Sequence, residues 1–470
     1  MDVDVEGRDA MGEMPNASMR VGAGRALIDL PEGLLPFDGF GAQTEIAPLY
    51  ARSLVFEDAT DTRFAVCSVE ATSLRDPLLT ELREGIAREA GVPLAAAWAC
   101  VTHSFSIPHV RTEAHLESAG DLERNRLWRK AIVRAAAQSV RDAMASLRPA
   151  ALSLGEADCP VNTCRDVETA AGWWLGEGDP SCSDRRVRVL AAHDAGGALV
   201  ALLSSIDVQS SMLDGVRGAD GGKLISGDLA GTACQQVERR MAGESHAAQG
   251  QLPVCLFAVG AAGDQAPVER VADGTDPERA FAAVDDLAGV LAQGILDAAE
   301  MATLVPAANI QLGALNATLP GQEIPQDRLA IKPCRAYDRA PAADRTTQVD
   351  IALVGDVELV GLRPEISSAM AADLRRQADT QHAFVLTMVN GGQKYLVESE
   401  SYDRNTYESM NSMFAKGAGE QLMRETAQAL RSLRGGHAVV GGVPEVSPEL
   451  QSSISFSSIS TSVDSQRGDR

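Results

Sequence analysis

Lysine is nearly missing from this chain. Its 470 residues hold five lysines, so the 42 basic residues are almost all arginine, against 65 acidic ones and a formal net charge of −23. That deficit of positive charge argues against a nucleic-acid or anionic-membrane surface, because phosphates would be repelled rather than recruited. Few lysines beside abundant alanine read as the coding bias of a GC-rich bacterium and carry no mechanism. No run of 18 or more apolar residues occurs, so no transmembrane helix is expected. The opening segment, MDVDVEGRDAMGEMPNAS, is acidic and lacks the basic and apolar regions of a secretory signal. The eight cysteines form no Cys-x-x-Cys pair, which points away from a zinc ribbon or a thioredoxin-type site. Without a cysteine framework or an export signal, a reducing cytoplasm is the expected compartment.

What is present is organised as one large domain. Residues 1–18 show no periodicity and read as a leader. Residues 443–470 are Ser-rich, with too little apolar surface to offset ordering entropy, and read as a disordered tail. The domain is therefore expected over 19–442, with loops at 172–184, which carries Trp173 and Trp174, and at 319–345. Short apolar runs at 63–71, 95–102, 187–192, 199–206, 254–260, 351–362 and 382–389 read as strands buried on both faces, as in a sheet sandwiched by helices. Helical spacing links Leu78, Leu82 and Ile86, then Trp128 to Met144, then Phe281 to Ile295 behind an Asp276-Pro277 start. Strands alternating with amphipathic helices predict an α/β fold, with mixed β-sheets flanked by helices.

Polar clusters follow these strands. Thr102-His103-Ser104 ends one, Asp207 with Ser210-Ser211 another, and Ala262-Gly263-Asp264 a third. Arg363-Pro364-Glu365 and Asn390 to Tyr395 end two more. Ligands bind at the carboxyl edges of strands in α/β sheets, where such groups converge, and His, Asp, Glu and Tyr could hold a metal there. Loops are polar in every protein, so the pattern alone does not make a site.

The wording and order of the segments add to it. Val21-Gly22-Ala23-Gly24-Arg25, Thr102-His103-Ser104-Phe105-Ser106-Ile107-Pro108, Asn162-Thr163-Cys164-Arg165 and Ser226-Gly227-Asp228-Leu229-Ala230-Gly231 come first. Gly263-Asp264-Gln265-Ala266-Pro267, Arg363-Pro364-Glu365 and the run Asn390 to Tyr395 with Tyr402 and Tyr407-Glu408 complete the set. In this order they resemble the catalytic domain of the neutral (non-lysosomal) ceramidase family, from about Arg20 to Leu433. The resemblance implies that family's fold and a zinc ion that activates water against an amide carbonyl. It places His103, Glu365 and Tyr395 as metal ligands, Arg165 and Tyr395 on the substrate side, and Asp264 among the catalytic groups. The implied substrate is a small-molecule or lipid-like N-acyl amine.

The departures matter as much. The family's second ligand His is absent. Aligning strand ends puts Asp207 in its place, and a shift of one or two residues puts Val208 or Gln209 there. With Asp207 the set becomes one nitrogen and three oxygens, a harder site that also suits manganese or iron. His109 is an outside candidate. Phe105 replaces the second His of the family's Thr-His-Thr-His motif, Gly392 replaces a Tyr, and the immunoglobulin-like C-terminal domain has no counterpart. Three readings stay open. The first is a metal-dependent amide hydrolase. The second is a bacterial biosynthetic relative that forms an amide or lactam, or another condensation product, on a soluble intermediate. The third is a non-catalytic binder. Metal species and oligomeric state are left unspecified.

Overall fold

The computed structural model describes residues 19–439 except 117, 243–252, 307–308 and 326–330. The leader and the Ser-rich tail lie outside the described residues. Two β-sheets pack face to face, with helices on both outer sides. The large sheet runs Val254–Phe257, Leu199–Ser205, Arg186–Asp194, Arg148–Asp158, Met19–Leu27, Tyr50–Asp58, Arg63–Val69, Ala97–Val101, with Thr303–Leu304 added beside Arg148–Asp158. Its interior pairs are antiparallel and its two end pairs parallel. The second sheet holds Ile310–Gln322, Pro341–Val354, Val357–Leu362 and Phe384–Leu386, and its last pair is also parallel.

The near-continuous apolar runs have a simple cause: both faces of each sheet are covered. In Arg63–Val69, Ala65, Cys67 and Val69 join the core under the helices Leu78–Ala90, Ala119–Ala145, Asp228–Met241 and Pro277–Glu300. The intervening Phe64 and Val66 join the core between the sheets, where Phe64 meets Trp98 edge-on at 5.1 Å. In Pro341–Val354 the alternation continues. Ala352 and Val354 face the large sheet, while Ile351 and Leu353 pack with the outer helices Ser368–Ala378 and Ala418–Arg434. Each fully buried Leu, Ile or Phe side chain contributes about 1.5–3 kcal/mol. Glycine lets the layers approach. A Cβ at Gly22 would lie 1.9 Å from the Ala143 carbonyl oxygen, and one at Gly24 2.0 Å from that of Ser139. The Gly-x-Gly of the first strand is thus the seat on which Ala119–Ala145 crosses the sheet.

Several sequence expectations need correcting. The run 351–362 is two strands, because a Gly355-Asp356 turn with Gly355 at φ +61° reverses the chain. The expected loop at 172–184 contains the strand Gly172–Leu175, paired with Asp166–Thr169. Most of the described part of 319–345 belongs to, or lies within, one long hairpin formed by Ile310–Gln322 and Pro341–Val354. All eight cysteines are free thiols, six of them buried, in keeping with the absence of a Cys-x-x-Cys pair. No helix among the described residues is long and apolar enough to cross a membrane.

Candidate active site

Three parallel strand pairs bring their carboxyl ends to one place. Backbone N–H groups of Val259, Thr387 and Asn390 donate to the carbonyls of Val101, Val259 and Ala99, stitching both sheets together there. Beyond Ala97–Val101 the chain turns sharply, and His103 adopts a left-handed φ of +56°, a conformation that costs a non-glycine residue about 1–3 kcal/mol. The turn aims the ring. His103 Nδ1 lies 2.6 Å from the Thr72 carbonyl oxygen, which can only accept, so the hydrogen-bond network assigns the proton to Nδ1. Nε2 then carries a lone pair and lies 3.1 Å from Glu365 Oε2. The two side chains are 1% and 3% exposed. Two acceptors facing each other without water call for a proton or a cation between them.

Glu365 is fixed by a two-residue strand, Glu365–Ile366, paired in parallel with Tyr395–Leu396, so that Glu365 and Tyr395 are register partners. Burial first, then the Glu365 charge, push the Tyr395 phenol well above its ordinary value, and it keeps its proton. Arg165 Nη2 lies 3.3 Å from the phenol oxygen. The same guanidinium donates to Glu408 Oε1 from Nε and Nη2 (2.9 and 2.6 Å), to Gln209 Oε1 (2.9 Å) and to the Gly263 carbonyl (2.6 Å). Burial works against its charge, but Glu408 and then Tyr395 hold it firmly protonated. Behind Arg165, Asp166 is pushed well above the carboxylate range, first by burial and then by the charge and hydrogen bond of Glu408. Asp166 is therefore the protonated member of that pair.

The structure thus gathers His103, Glu365, Tyr395 and Arg165. It does not bring Asp207 to them. Asp207 Oδ1 accepts from the Ala261 N–H (2.8 Å) and Oδ2 from the Ser368 hydroxyl (2.9 Å), so its carboxylate braces two loops. Gln209, two residues on, is the side chain beside Arg165, and its amide nitrogen donates to the Ala262 carbonyl (3.1 Å). Asp264 also acts as a brace: its carboxylate accepts from the Ser368 N–H at 2.9 Å and its carbonyl from the Arg165 N–H at 2.9 Å. His109 is bonded to Asp38, away from the cluster. Phe105 lays its ring against His103 at 4.8 Å, an apolar wall beside the imidazole.

The sequence did not flag Thr72 or Asp166 as working parts, Gln209 appeared only as an alternative to Asp207, and Tyr407 and Glu408 appeared only within a motif. Tyr407 packs edge-on to Tyr395 at 5.9 Å and to Trp174 at 5.6 Å, so one of the two tryptophans extends an aromatic wall outward from the site. Trp173 instead lies beneath Arg404 at 4.5 Å.

Three donors remain for a cation: His103 Nε2, a Glu365 oxygen and the Tyr395 oxygen. Among the described residues no three His, Cys, Asp or Glu side chains come together. Three protein donors with one open position is the usual number at a catalytic zinc, and bonds of about 2.0–2.1 Å place tetrahedral donors about 3.3 Å apart. The 3.1 Å between His103 Nε2 and Glu365 Oε2 is close to that, so this pair of donors fits such an ion.

Neither a protein-family model nor a curated protein sequence matches this chain. Solved structures do. Neutral ceramidase from Pseudomonas aeruginosa superposes with a TM-score of 0.70 at 16% identity, covering 92% of this chain and 77% of that one. A ceramidase complexed with C2 gives 0.69 at 17% identity, covering 92% and 78%. At this identity the likeness establishes the fold, which is that of the neutral ceramidases.

Proposed function

We propose that this chain, built on the neutral-ceramidase fold, is a metal-dependent hydrolase of an amide bond in an N-acyl amine. The observation that supports the reading best is the 3.1 Å approach of His103 Nε2 to Glu365 Oε2, with Nδ1 anchored on Thr72. His103, Glu365 and Tyr395 would hold the ion: zinc, or manganese or iron given two oxygens and one nitrogen. When bound, it would supply a Lewis acid that lowers the pKa of a water and polarises the amide carbonyl. The rest is done by the chain. Thr72 accepts from Nδ1 and so aims Nε2 at the position of the ion. Arg165 holds the Tyr395 hydroxyl and adds positive charge where the tetrahedral oxyanion develops. Glu408 and Gln209 keep that guanidinium in place. Phe105, Tyr395 and Tyr407 limit water around the reacting centre. Water adds to the carbonyl carbon, the C–N bond breaks, and the amine leaves with a proton while a carboxylic acid forms. Phe105 also favours a second reading, in which a drier site joins an acid and an amine on a soluble intermediate.

The test is metal analysis of purified protein together with release of labelled acid from a panel of N-acyl amines. The expected result is close to one metal per chain and acid release, both lost in His103→Ala and Glu365→Ala with the circular dichroism spectrum kept. Metal below about 0.1 per chain after supplementation, or unchanged metal in either variant, overturns the assignment.

A further inference from the structure

Aromatic side chains are scarce in this chain, at 4% of its residues, yet they gather at the candidate site. The 470 residues hold four Trp and five Tyr. Three of these nine form one row, Tyr395, Tyr407 and Trp174, with ring centroids 5.9 and 5.6 Å apart and planes turned by 67° and 89°. The row starts at the reacting centre, because Tyr395 is 4% exposed and is the register partner of Glu365. It ends toward solvent, where Tyr407 and Trp174 are half-buried. The Arg165 guanidinium lies 5.6 Å from the Tyr395 ring and 5.8 Å from that of Tyr407, so the cation attends the inner part of the row and Trp174 forms its outer end.

The hairpin that carries Trp174 holds it in register with the site. The chain leaves Arg165, runs out through Asp166–Thr169 and returns as Gly172–Leu175, with Val167 opposite Trp174 and Glu168 opposite Trp173. The Gly176 N–H then donates back to the Arg165 carbonyl at 2.7 Å. Trp174 is thus two residues from a fixed point on Arg165 itself. At the hairpin tip Gly172 has φ +135°, and a Cβ there would lie 2.4 Å from the Cys334 carbonyl oxygen, so the turn is seated against another segment. Alternation along the strand sends the two adjacent tryptophans to opposite faces. Trp173 goes beneath Arg404 at 4.5 Å, and Trp174 goes against Tyr407. A ring already held this way loses little freedom when a ligand arrives. Rings set edge to face also offer a third ring the same edge-on or offset contact, which an alkyl chain cannot make.

We propose that Trp174, with Tyr407 behind it, is a specificity-determining residue that seats an aromatic group of the substrate, so that the N-acyl amine carries an aromatic ring on the side facing this hairpin. The proposal rests on the hydrolase reading and narrows its substrate class.

The test is calorimetric titration of the zinc-loaded whole protein with three hydroxamates, whose chelating head takes the place of the amide at the metal. Acetohydroxamate has the head alone, 4-phenylbutanohydroxamate adds an aromatic ring, and heptanohydroxamate adds an alkyl chain. All three are expected to bind, the phenyl compound at least about tenfold tighter than the alkyl one. Trp174→Leu, with metal content and circular dichroism kept, should bring the two within about twofold, and Trp174→Phe should restore most of the preference. Trp173→Leu, on the opposite face, should keep the preference of the unmodified protein. Equal binding of the phenyl and alkyl compounds beside firm binding of acetohydroxamate overturns this proposal and leaves the hydrolase reading standing. A phenyl preference that survives Trp174→Leu, or that Trp173→Leu removes equally, overturns it too. No binding of acetohydroxamate removes the hydrolase reading and this proposal with it.

Discussion

Replacing Arg165 with methionine tests the electrostatic logic of the site directly. The guanidinium, 11% exposed, is the partner of a Glu408 carboxylate that is fully buried. Apart from Arg165, the Glu408 carboxylate has the protonated Asp166 as its hydrogen-bond partner, and that neighbour is neutral and supplies no positive charge. Methionine fills similar volume but leaves a carboxylate with no cation. The charge can persist unpaired, which for a broken buried pair costs about 3–5 kcal/mol. Alternatively it can be neutralised, and putting a proton on an ordinary glutamate at pH 7 costs about 3.7 kcal/mol. The two routes agree, so Arg165→Met should lose about 3–5 kcal/mol at pH 7. At pH 5 the protonation route costs only about 1 kcal/mol, so the loss should shrink by more than half. Adding Glu408→Gln removes the stranded charge, and the double variant should recover most of the loss. Urea unfolding at both pH values, with the slope unchanged, reads each quantity. A loss below about 1 kcal/mol at pH 7, an equal loss at pH 5, or no rescue by Glu408→Gln would refute the reasoning.

Three further outcomes follow from particular contacts. Burial pushes the Asp264 carboxyl up to about 7 from an ordinary 3.8. A raised folded-state value means that the protonated form favours folding: its contribution is complete below about 4 and is lost as pH rises through 7. Asp264→Asn keeps an acceptor for the Ser368 N–H and carries no such proton, so its thermal midpoint relative to the unmodified protein should rise between pH 5 and pH 8; a constant difference refutes the shift. Gln209→His would offer a fourth donor beside Arg165, and metal occupancy at limiting zinc should increase; unchanged occupancy shows that position 209 does not reach the ion. Gly231 lies in a helix, where alanine normally gains up to about 1 kcal/mol. Here a Cβ would sit 2.8 Å from Cδ of the buried Glu70, itself bonded to Arg52 at 2.6 Å, so Gly231→Ala should instead lose about 1–3 kcal/mol, and a gain in urea stability defeats the packing argument.

The contrast between Asp207 and Gln209 shows where sequence stops being legible. Burial on both faces wrote the strands as apolar runs, and helical spacing wrote the helices, so the layers could be read. Those runs did not reveal that the second cover of the large sheet is another sheet, since a helix and a sheet bury the same residues. The ends of the runs marked where functional groups gather, and His103 and Glu365, 262 positions apart, do meet. An apolar run, however, fixes a strand's end only to within a residue or two, and beyond Ser205 the chain leaves the strand, so two-residue alternation no longer tells which way residues 207 and 209 point. Asp207 and Gln209 are both buried and polar, and only their partners tell them apart: one braces Ala261 and Ser368, the other faces Arg165. Thr72 acts through its carbonyl, which any residue would supply. Glu408 matters because an arginine 243 positions earlier is aimed at it. Sequence pattern reports what a residue must be, whereas these roles depend on where a neighbour from another segment points. That is why Arg165→Met with Glu408→Gln is the sharper probe of this site, since it interrogates a pairing that neither residue's local sequence encodes.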